Sequence, residues 1–327
     1  MISPLFRRLS WFAVMLVFGV ILLGAYTRLS HAGLGCPDWP GCYGEATWPN
    51  HEAEVAAANA AHPDRPVEVR KAWKEMVHRY FAGLLMLTTF VLAALAWRNR
   101  AYLPQPRRAV VFAAAFILFQ AALGMWTVTW KLKPIVVMGH LLGGMATMAL
   151  LAWTALRANG VHGGATVKRG LVVVALVLVA LQIALGGWTS ANYAAFACAT
   201  DYPTCLQQWW PQTDFREAFV LWRGIGVNYE GGVLDGPART AIHLTHRWFA
   251  LLVAGHVLIL AVKAMRQPAT RNYGRAIAAL LVVQITLGIA NVKFGLPLWN
   301  ATAHNGVAAA LLFALIALLA RTTPAPR

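Results

Sequence analysis

The sequence predicts an all-α polytopic membrane protein, with eight transmembrane helices forming two pseudo-repeated four-helix bundles. Three observations predict it. The 327-residue chain is 59% hydrophobic and 12% charged, with a mean hydropathy of +0.55, whereas an ordinary soluble domain carries about 25% charged residues. Its apolar residues gather into runs long enough to cross a hydrocarbon core of about 30 Å, which takes roughly 20 helical residues. Histidines and cysteines also recur at matched positions in the two halves.

The runs fall at about 9–28, 76–97, 109–130, 135–156, 170–190, 241–262, 276–292 and 301–320. Arg7 and Arg8 precede the first as they would a signal peptide, but GAYTRLS follows it without a small-x-small cleavage pattern, so it reads as a helix. No Arg- and Ser-rich transit segment precedes it, and the expected membrane is a bacterial inner membrane. Arg98 closes the second run, Arg107 and Arg108 open the third, Arg157 closes the fourth, and Lys168 and Arg169 open the fifth. Lys263 and Arg266 flank the sixth, and Arg271 and Arg275 the seventh. The last two runs are the shortest, and their joint, KFGLPLWN, predicts a tight turn.

A net charge of +16 raises the question of nucleic acid, but its distribution answers it. All 12 acidic residues lie in two stretches, Asp38 to Glu75 and Asp201 to Asp235. The short loops carrying Arg98, Arg100, Arg107 and Arg108, then Arg157, Lys168 and Arg169, then Lys263, Arg266, Arg271 and Arg275 are purely basic. Charge at alternating helix ends is the positive-inside pattern of a membrane protein and not a basic face for nucleic acid. It predicts cytoplasmic termini, which an even number of spans satisfies, and two periplasmic loops at about 30–74 and 190–240.

Self-similarity divides the chain into residues 1–160 and 161–327. LGMWTVTWKLKPIVVMGHLLGGMA parallels LGIANVKFGLPLWNATAHNGVAAA, EMVHRYFAGLLML parallels HLTHRWFALLVAG, and the Cys36/Cys42 pair parallels Cys198/Cys205. Small-residue membrane helices resemble one another by composition, but composition does not align histidines and cysteines together. Each half has four spans and so the same orientation.

His78 and His246 sit near the outer ends of the second and sixth spans, each followed by an arginine, Arg79 and Arg247. His140 and His304 sit near the outer starts of the fourth and eighth. Each half thus offers two imidazoles at one membrane depth, the arrangement that holds an iron porphyrin edge-on between helices. The arginines are candidates for porphyrin propionates, because guanidinium pairs well with carboxylate. A single intramembrane histidine is as readily a satisfied polar group as a ligand, but four in matched repeats favour ligation. Zinc is the rival, and nothing here has HExxH spacing. His243 lies one turn before His246; His246 is preferred because it aligns with His78 and carries the same arginine. His256 reads as a packing residue, and His31, His51, His62 and His162 as loop residues.

Glu75 shares a helical face with His78 at i,i+3, and its counterpart in the second half is His243. A carboxylate beside one histidine pair only indicates different work in the two halves: Glu75 can activate water or stabilise developing positive charge. It is equally placed to be a helix-start carboxylate favoured by the N-terminal dipole. All four cysteines fall on the expected periplasmic side, in CPDWPGC and CATDYPTC, where disulfides Cys36–Cys42 and Cys198–Cys205 are the natural short-range pairs. The second pair reads as a staple; the first stays open between a staple and a redox-active pair. Neither is CxxCH, so covalent haem attachment is not indicated.

GAYTRLSHAGLGCPDWPGCYG, then EMVHR, then the histidines of spans four, six and eight, resemble the haem A synthase family over residues 10 to 320. The resemblance implies an oxidoreductase that converts the C8 methyl of haem O to a formyl, with water as oxygen source. It implies that His78 and His140 hold the substrate haem O, that Glu75 is catalytic, and that His246 and His304 hold a haem b iron cofactor. The cysteine pair Cys36/Cys42 matches the family's, and Cys198/Cys205 matches a pair that only some members carry. Expected partners are membrane lipid, a haem O synthase, oxidase assembly factors and an electron acceptor that the residues do not name. Two rival classes share the histidines: a di-haem b-type electron carrier and a haem-handling chaperone without chemistry. Neither accounts for Glu75 or the cysteine motif.

Overall fold

The computed structural model describes residues 2–98 and 106–324; Arg100 of the first basic loop lies outside the described residues. Among these, the chain forms ten helices and no strands: α1 Pro4–Leu29, α2 Glu52–Ala61, α3 Val69–Arg98, α4 Arg107–Thr129, α5 Pro134–Ala158, α6 Arg169–Ala191, α7 Phe215–Ala218, α8 Gly236–Met265, α9 Arg271–Lys293 and α10 Leu298–Thr322. All but α2 and α7 are long and apolar enough to span a membrane, eight in total, and they coincide with the eight predicted runs. The protein is a multi-pass membrane protein.

The helices outrun the apolar stretches that predict them. Helix α3 begins at Val69 and α8 at Gly236, ahead of the apolar runs that start at about 76 and 241. The start of α8 is locally encoded: Asp235 caps it, accepting from the Ala238 amide at 2.9 Å, and Pro237 supplies a helix-ready φ. The last two spans reach 23 and 25 residues once their polar ends join the helix. KFGLPLWN forms the predicted tight turn, with Gly295 and Leu296 in the left-handed region at φ 66° and 62°.

That turn is one of four at the outer helix ends with the same hydrogen bond. The amides of Ala32, Leu132, Ala194 and Leu296 each reach back five residues, to the carbonyls of Thr27, Thr127, Thr189 and Asn291, at 2.7–2.9 Å. These six-to-one bonds close the outer ends of α1, α4, α6 and α9. The next long helix follows each closure, so the chain is a series of four helical hairpins: α1–α3, α4–α5, α6–α8 and α9–α10.

Helices α1, α3, α4 and α5 pack as one closed ring and α6, α8, α9 and α10 as another; α1, α5, α6 and α10 join the rings. Within each ring α3 and α5, and α8 and α10, are not backbone neighbours: they stand at opposite corners. The main buried apolar cluster includes Phe6, Leu92, Leu151, Val257, Leu260 and Leu315, all at most 1% exposed. It lies wholly on the basic-loop side of the four histidines, beginning five to seven residues beyond each of them.

Candidate functional site

Each hairpin delivers one of the four predicted histidines on its second helix: His78 on α3, His140 on α5, His246 on α8 and His304 on α10. A glycine on the first helix faces it. A Cβ at Gly24, Gly124, Gly186 or Gly288 would lie 2.9, 3.1, 3.1 or 3.2 Å from the Cε1 of His78, His140, His246 or His304, respectively. That is tighter than ordinary contact, so the imidazole packs against helix backbone and is held at a fixed depth. The near-identity of the four contacts makes the four positions equivalent.

The corner arrangement then pairs the rings. His78 and His140 stand on opposite corners of the first ring, and His246 and His304 on opposite corners of the second. His243 does not join the second pair. Its Nδ1 lies 2.9 Å from the Ala194 carbonyl in the loop after α6, which separates its position from that of His246. His256 contacts the Leu171 carbonyl at 3.0 Å through Nε2, as a packing histidine does.

Glu75 is 4% exposed and lies seven residues into α3, well past the first turn, so the helix-start reading of its carboxylate does not describe its place. Oε2 accepts from the Cys36 amide at 3.0 Å and Oε1 pairs with the Arg79 guanidinium. A carboxylate this buried needs such donors, since burying an unpaired charge costs several kcal/mol. Arg79 also donates to the carbonyls of Asp38, Pro40 and Gly41. Arg247 does the same for the second loop, donating to the carbonyls of Thr204 and Asp201 at 2.9 Å each. Sequence adjacency to histidine pointed these arginines at propionates. In the structure their terminal nitrogens engage carbonyls of the two disulfide loops.

Both expected disulfides are present, Cys36–Cys42 and Cys198–Cys205, with all four sulfurs in fully buried residues. Each loop folds around an aspartate that the sequence reading passed over. Asp38 accepts from the amides of Tyr43 and Gly44, both at 2.7 Å. Asp201 accepts from the Gln207 amide at 2.6 Å and the Thr204 hydroxyl at 2.8 Å, and these donors hold its carboxyl below the usual aspartate range. In each loop the aspartate lies two or three residues after the first cysteine, a spacing visible in the sequence.

Three glutamines also escaped the sequence reading. Gln120, Gln182 and Gln284 each lie four residues before the histidine-facing glycine, in FQAALG, LQIALG and VQITLG, so the repeated pattern was available as a signal. Their amide nitrogens lie 3.1 Å from His140 Nδ1, 3.1 Å from His246 Nδ1 and 3.2 Å from His304 Nε2.

A polytopic membrane protein with paired intramembrane imidazoles, one pair in each of two helix rings, is the class that fold and site define. The profile of the cytochrome oxidase assembly protein family (COX15-CtaA) matches residues 7–316, and the chain belongs to that family. A heme A synthase of Shewanella oneidensis is 44% identical, covering 95% of this chain and 96% of its own length. Heme A synthases of Rhizorhabdus wittichii and Halalkalibacterium halodurans are 27% and 25% identical, over 92% and 91% of this chain and 89% and 91% of theirs.

Proposed function

We propose that this chain makes haem A from haem O in the assembly of cytochrome oxidase, with residues 1–160 holding the substrate haem and residues 161–327 a haem b cofactor. The observation that carries the division is the asymmetry of the two rings: histidine pairs occupy both, but only the first has a buried carboxylate, Glu75, in the position that His243 fills in the second. Family membership and the names of the relatives support the reaction.

The residues fit the groups. Imidazoles on opposite corners of a helix ring are the donor set that would hold an iron porphyrin between them. His78 and His304 each keep a buried Nδ1 without a protein partner. In the first ring His78 and His140 would hold haem O, and in the second His246 and His304 would hold haem b. When bound, haem b supplies a one-electron relay out of the bundle.

Chemically, each hydroxylation of the C8 methyl takes its oxygen from one water and releases two protons and two electrons, the electrons passing singly to an external one-electron acceptor. A second round gives the hydrated aldehyde, which loses water to the formyl. Glu75 serves this by placing negative charge beside the first site, where it accepts a proton from water or offsets positive charge growing at the substrate carbon. Arg79 and the Cys36 amide hold that carboxylate still, and the Cys36–Cys42 bridge fixes the loop bearing the amide.

Haem profiling by pyridine haemochrome tests the reading, on protein purified after co-expression with a haem O synthase. Haem A or hydroxylated haem O alongside haem b is expected from the wild type. His246→Ala and His304→Ala should lower resting haem b, whereas His78→Ala and His140→Ala should leave more of it while abolishing product. Haem b alone in every preparation identifies an electron carrier, and equal haem loss from all four variants defeats the division of labour.

A further inference from the structure

Haem propionates are ionised, so the polar edge of a porphyrin in either ring has to meet water or cations. The main apolar cluster fills the basic-loop side of the histidines, which leaves the outer end for that edge. Arg79 and Arg247, at that end, are engaged by loop carbonyls. Two other arginines stand outward of the histidines and form no ion pair.

Arg28 lies on α1 four residues after Gly24, the glycine that packs against His78. That spacing keeps it on the same helical stripe, about 6 Å nearer the outer end. Arg239 lies on α8 seven residues before His246, on the histidine's own stripe and about 10 Å outward of it. Both guanidiniums converge on the end of α6. Arg28 donates to the Ser190 carbonyl at 2.7 Å, and its Cζ lies 4.4 Å from the centre of the Tyr193 ring. A terminal nitrogen of Arg239 and the Cβ of Tyr193 each lie 3.2 Å from where a Cβ at Gly232 would be. The one hydrogen bond that nitrogen makes, to the Gly231 carbonyl, is long at 3.4 Å. The Tyr193 hydroxyl is buried and has no partner.

A buried Nε without a partner does not single these two out, because Arg223, Arg247 and Arg321 share it. Their place on the histidine stripes and their lack of a carboxylate do. Among the described residues neither forms a salt bridge, and the acids closest to Arg239 in sequence are occupied: Glu230 pairs with Arg65, and Asp235 caps α8. Nor are the two repeats of each other. The second-half counterpart of Arg28 is Ser190, and the first-half counterpart of Arg239 is Lys71, which pairs with Glu68 at 2.7 Å. Each ring supplies one such arginine, from a place the other does not use.

We infer that Arg28 and Arg239 bind haem propionates, Arg28 in the first ring and Arg239 in the second, with the Tyr193 hydroxyl as a further donor between them. The inference rests on the functional reading above and extends it: substrate and cofactor are both anchored by their carboxylates at the end of α6. Guanidinium and carboxylate make charge-assisted hydrogen bonds, and an aromatic face beneath the guanidinium holds its plane.

The test compares each haem with its dimethyl ester, in which the propionates carry no charge. Full-length protein from cells without a haem O synthase is reloaded with haem b or its ester, then titrated with haem O or its ester. Affinity, transfer to apomyoglobin and midpoint potential are read. A hydrogen bond to a charged group is worth about 10- to 100-fold in affinity. Arg239→Gln is expected to speed haem b loss by about that factor and to lower its midpoint potential, since losing a nearby positive charge favours ferric haem. Arg239→Lys, which keeps the charge, should hold the potential near that of wild type. Arg28→Gln should weaken haem O by a similar factor and leave haem b in place. With the esters, wild type should fall to the level of the variants. Variants that lose acid and ester haems by the same factor, or that lose neither, overturn the inference alone. Wild-type protein whose absorption spectrum shows no histidine-ligated haem overturns the functional reading with it.

Discussion

Glu75 is a buried carboxylate with two donors from distant parts of the chain, the Cys36 amide and the Arg79 guanidinium. Those donors partner its oxygens where an unpaired buried carboxylate would be costly. They also give the residue two separable jobs, securing the disulfide loop and placing negative charge at the first site. Glu75→Gln separates them, because an amide carbonyl can still accept from Cys36 while charge and basicity are gone. The variant is expected to insert, to keep both disulfides and to bind haem b, yet to make little haem A, with haem O or a partly oxidised haem accumulating. Losing one well-placed acid–base group costs about a hundredfold to ten-thousandfold in rate, a loss that a haem extract resolves. Haem A made at the wild-type rate would leave Glu75 with the loop alone.

At the scale of elements, the two disulfide loops are small folds nucleated by an aspartate and clamped onto α3 and α8 by Arg79 and Arg247. Asp201 is the one whose titration reports on the fold. Its carboxyl is held below the ordinary aspartate range, chiefly by the Gln207 amide and then the Thr204 hydroxyl. A depressed carboxyl contributes stability that is fully present above its unfolded value and is lost as pH falls through the folded one. The Cys198–Cys205 bridge should therefore become more reducible, at equal concentration of unprotonated phosphine, as pH drops from about 5 to well below the ordinary aspartate value of about 3.9. Asp201→Asn should show the faster rate already at the upper pH, with a flatter profile; a variant as slow and as pH-dependent as wild type removes Asp201 from the loop's stability. Elements of this kind were only partly legible beforehand. Hydropathy is written along one dimension, so all eight spans could be read, and cysteine proximity gave both bridges. The polar first turns of α3 and α8 could not, because nothing apolar marks them. The loop carbonyls that Arg79 and Arg247 bind lie 38–46 residues away along the chain, so sequence adjacency does not show them. Gln120, Gln182 and Gln284 stayed hidden for another reason. The repeat was aligned between halves, whereas the hairpin, a quarter of the bundle, is the unit in which their common place appears.

The whole molecule has two unlike ends, and their difference fixes how it should sit in a membrane. At one end the two long acidic loops meet: Arg65 pairs with Glu230 at 3.5 Å, and the Tyr229 amide bonds the Lys131 carbonyl at 3.0 Å. Trp73, Trp209, Trp210, Trp222 and Trp299 are exposed there, the residues that favour a membrane–water boundary. At the other end Arg7 donates to the Ala158 carbonyl at 3.1 Å and the Gly163 amide to the Thr323 carbonyl at 2.8 Å, joining the N-terminal helix, the link between the rings and the end of α10. That end carries the basic loops and the continuous apolar core, and the histidines lie toward the opposite, acidic end. Lys and Arg in short loops are retained in the cytoplasm, whereas acidic residues contribute little to orientation. The acidic end, with both disulfides and the mouths of both histidine sites, should therefore face the periplasm, where oxidation of the cysteines is permitted. Alkaline phosphatase fused after Ala58, in α2, should be active, and fused after His162, between the rings, inactive. The reverse pattern would put the disulfides in a reducing compartment and both sites on the cytoplasmic side. The helical architecture would survive that result, but the periplasmic placement of haem oxidation would not.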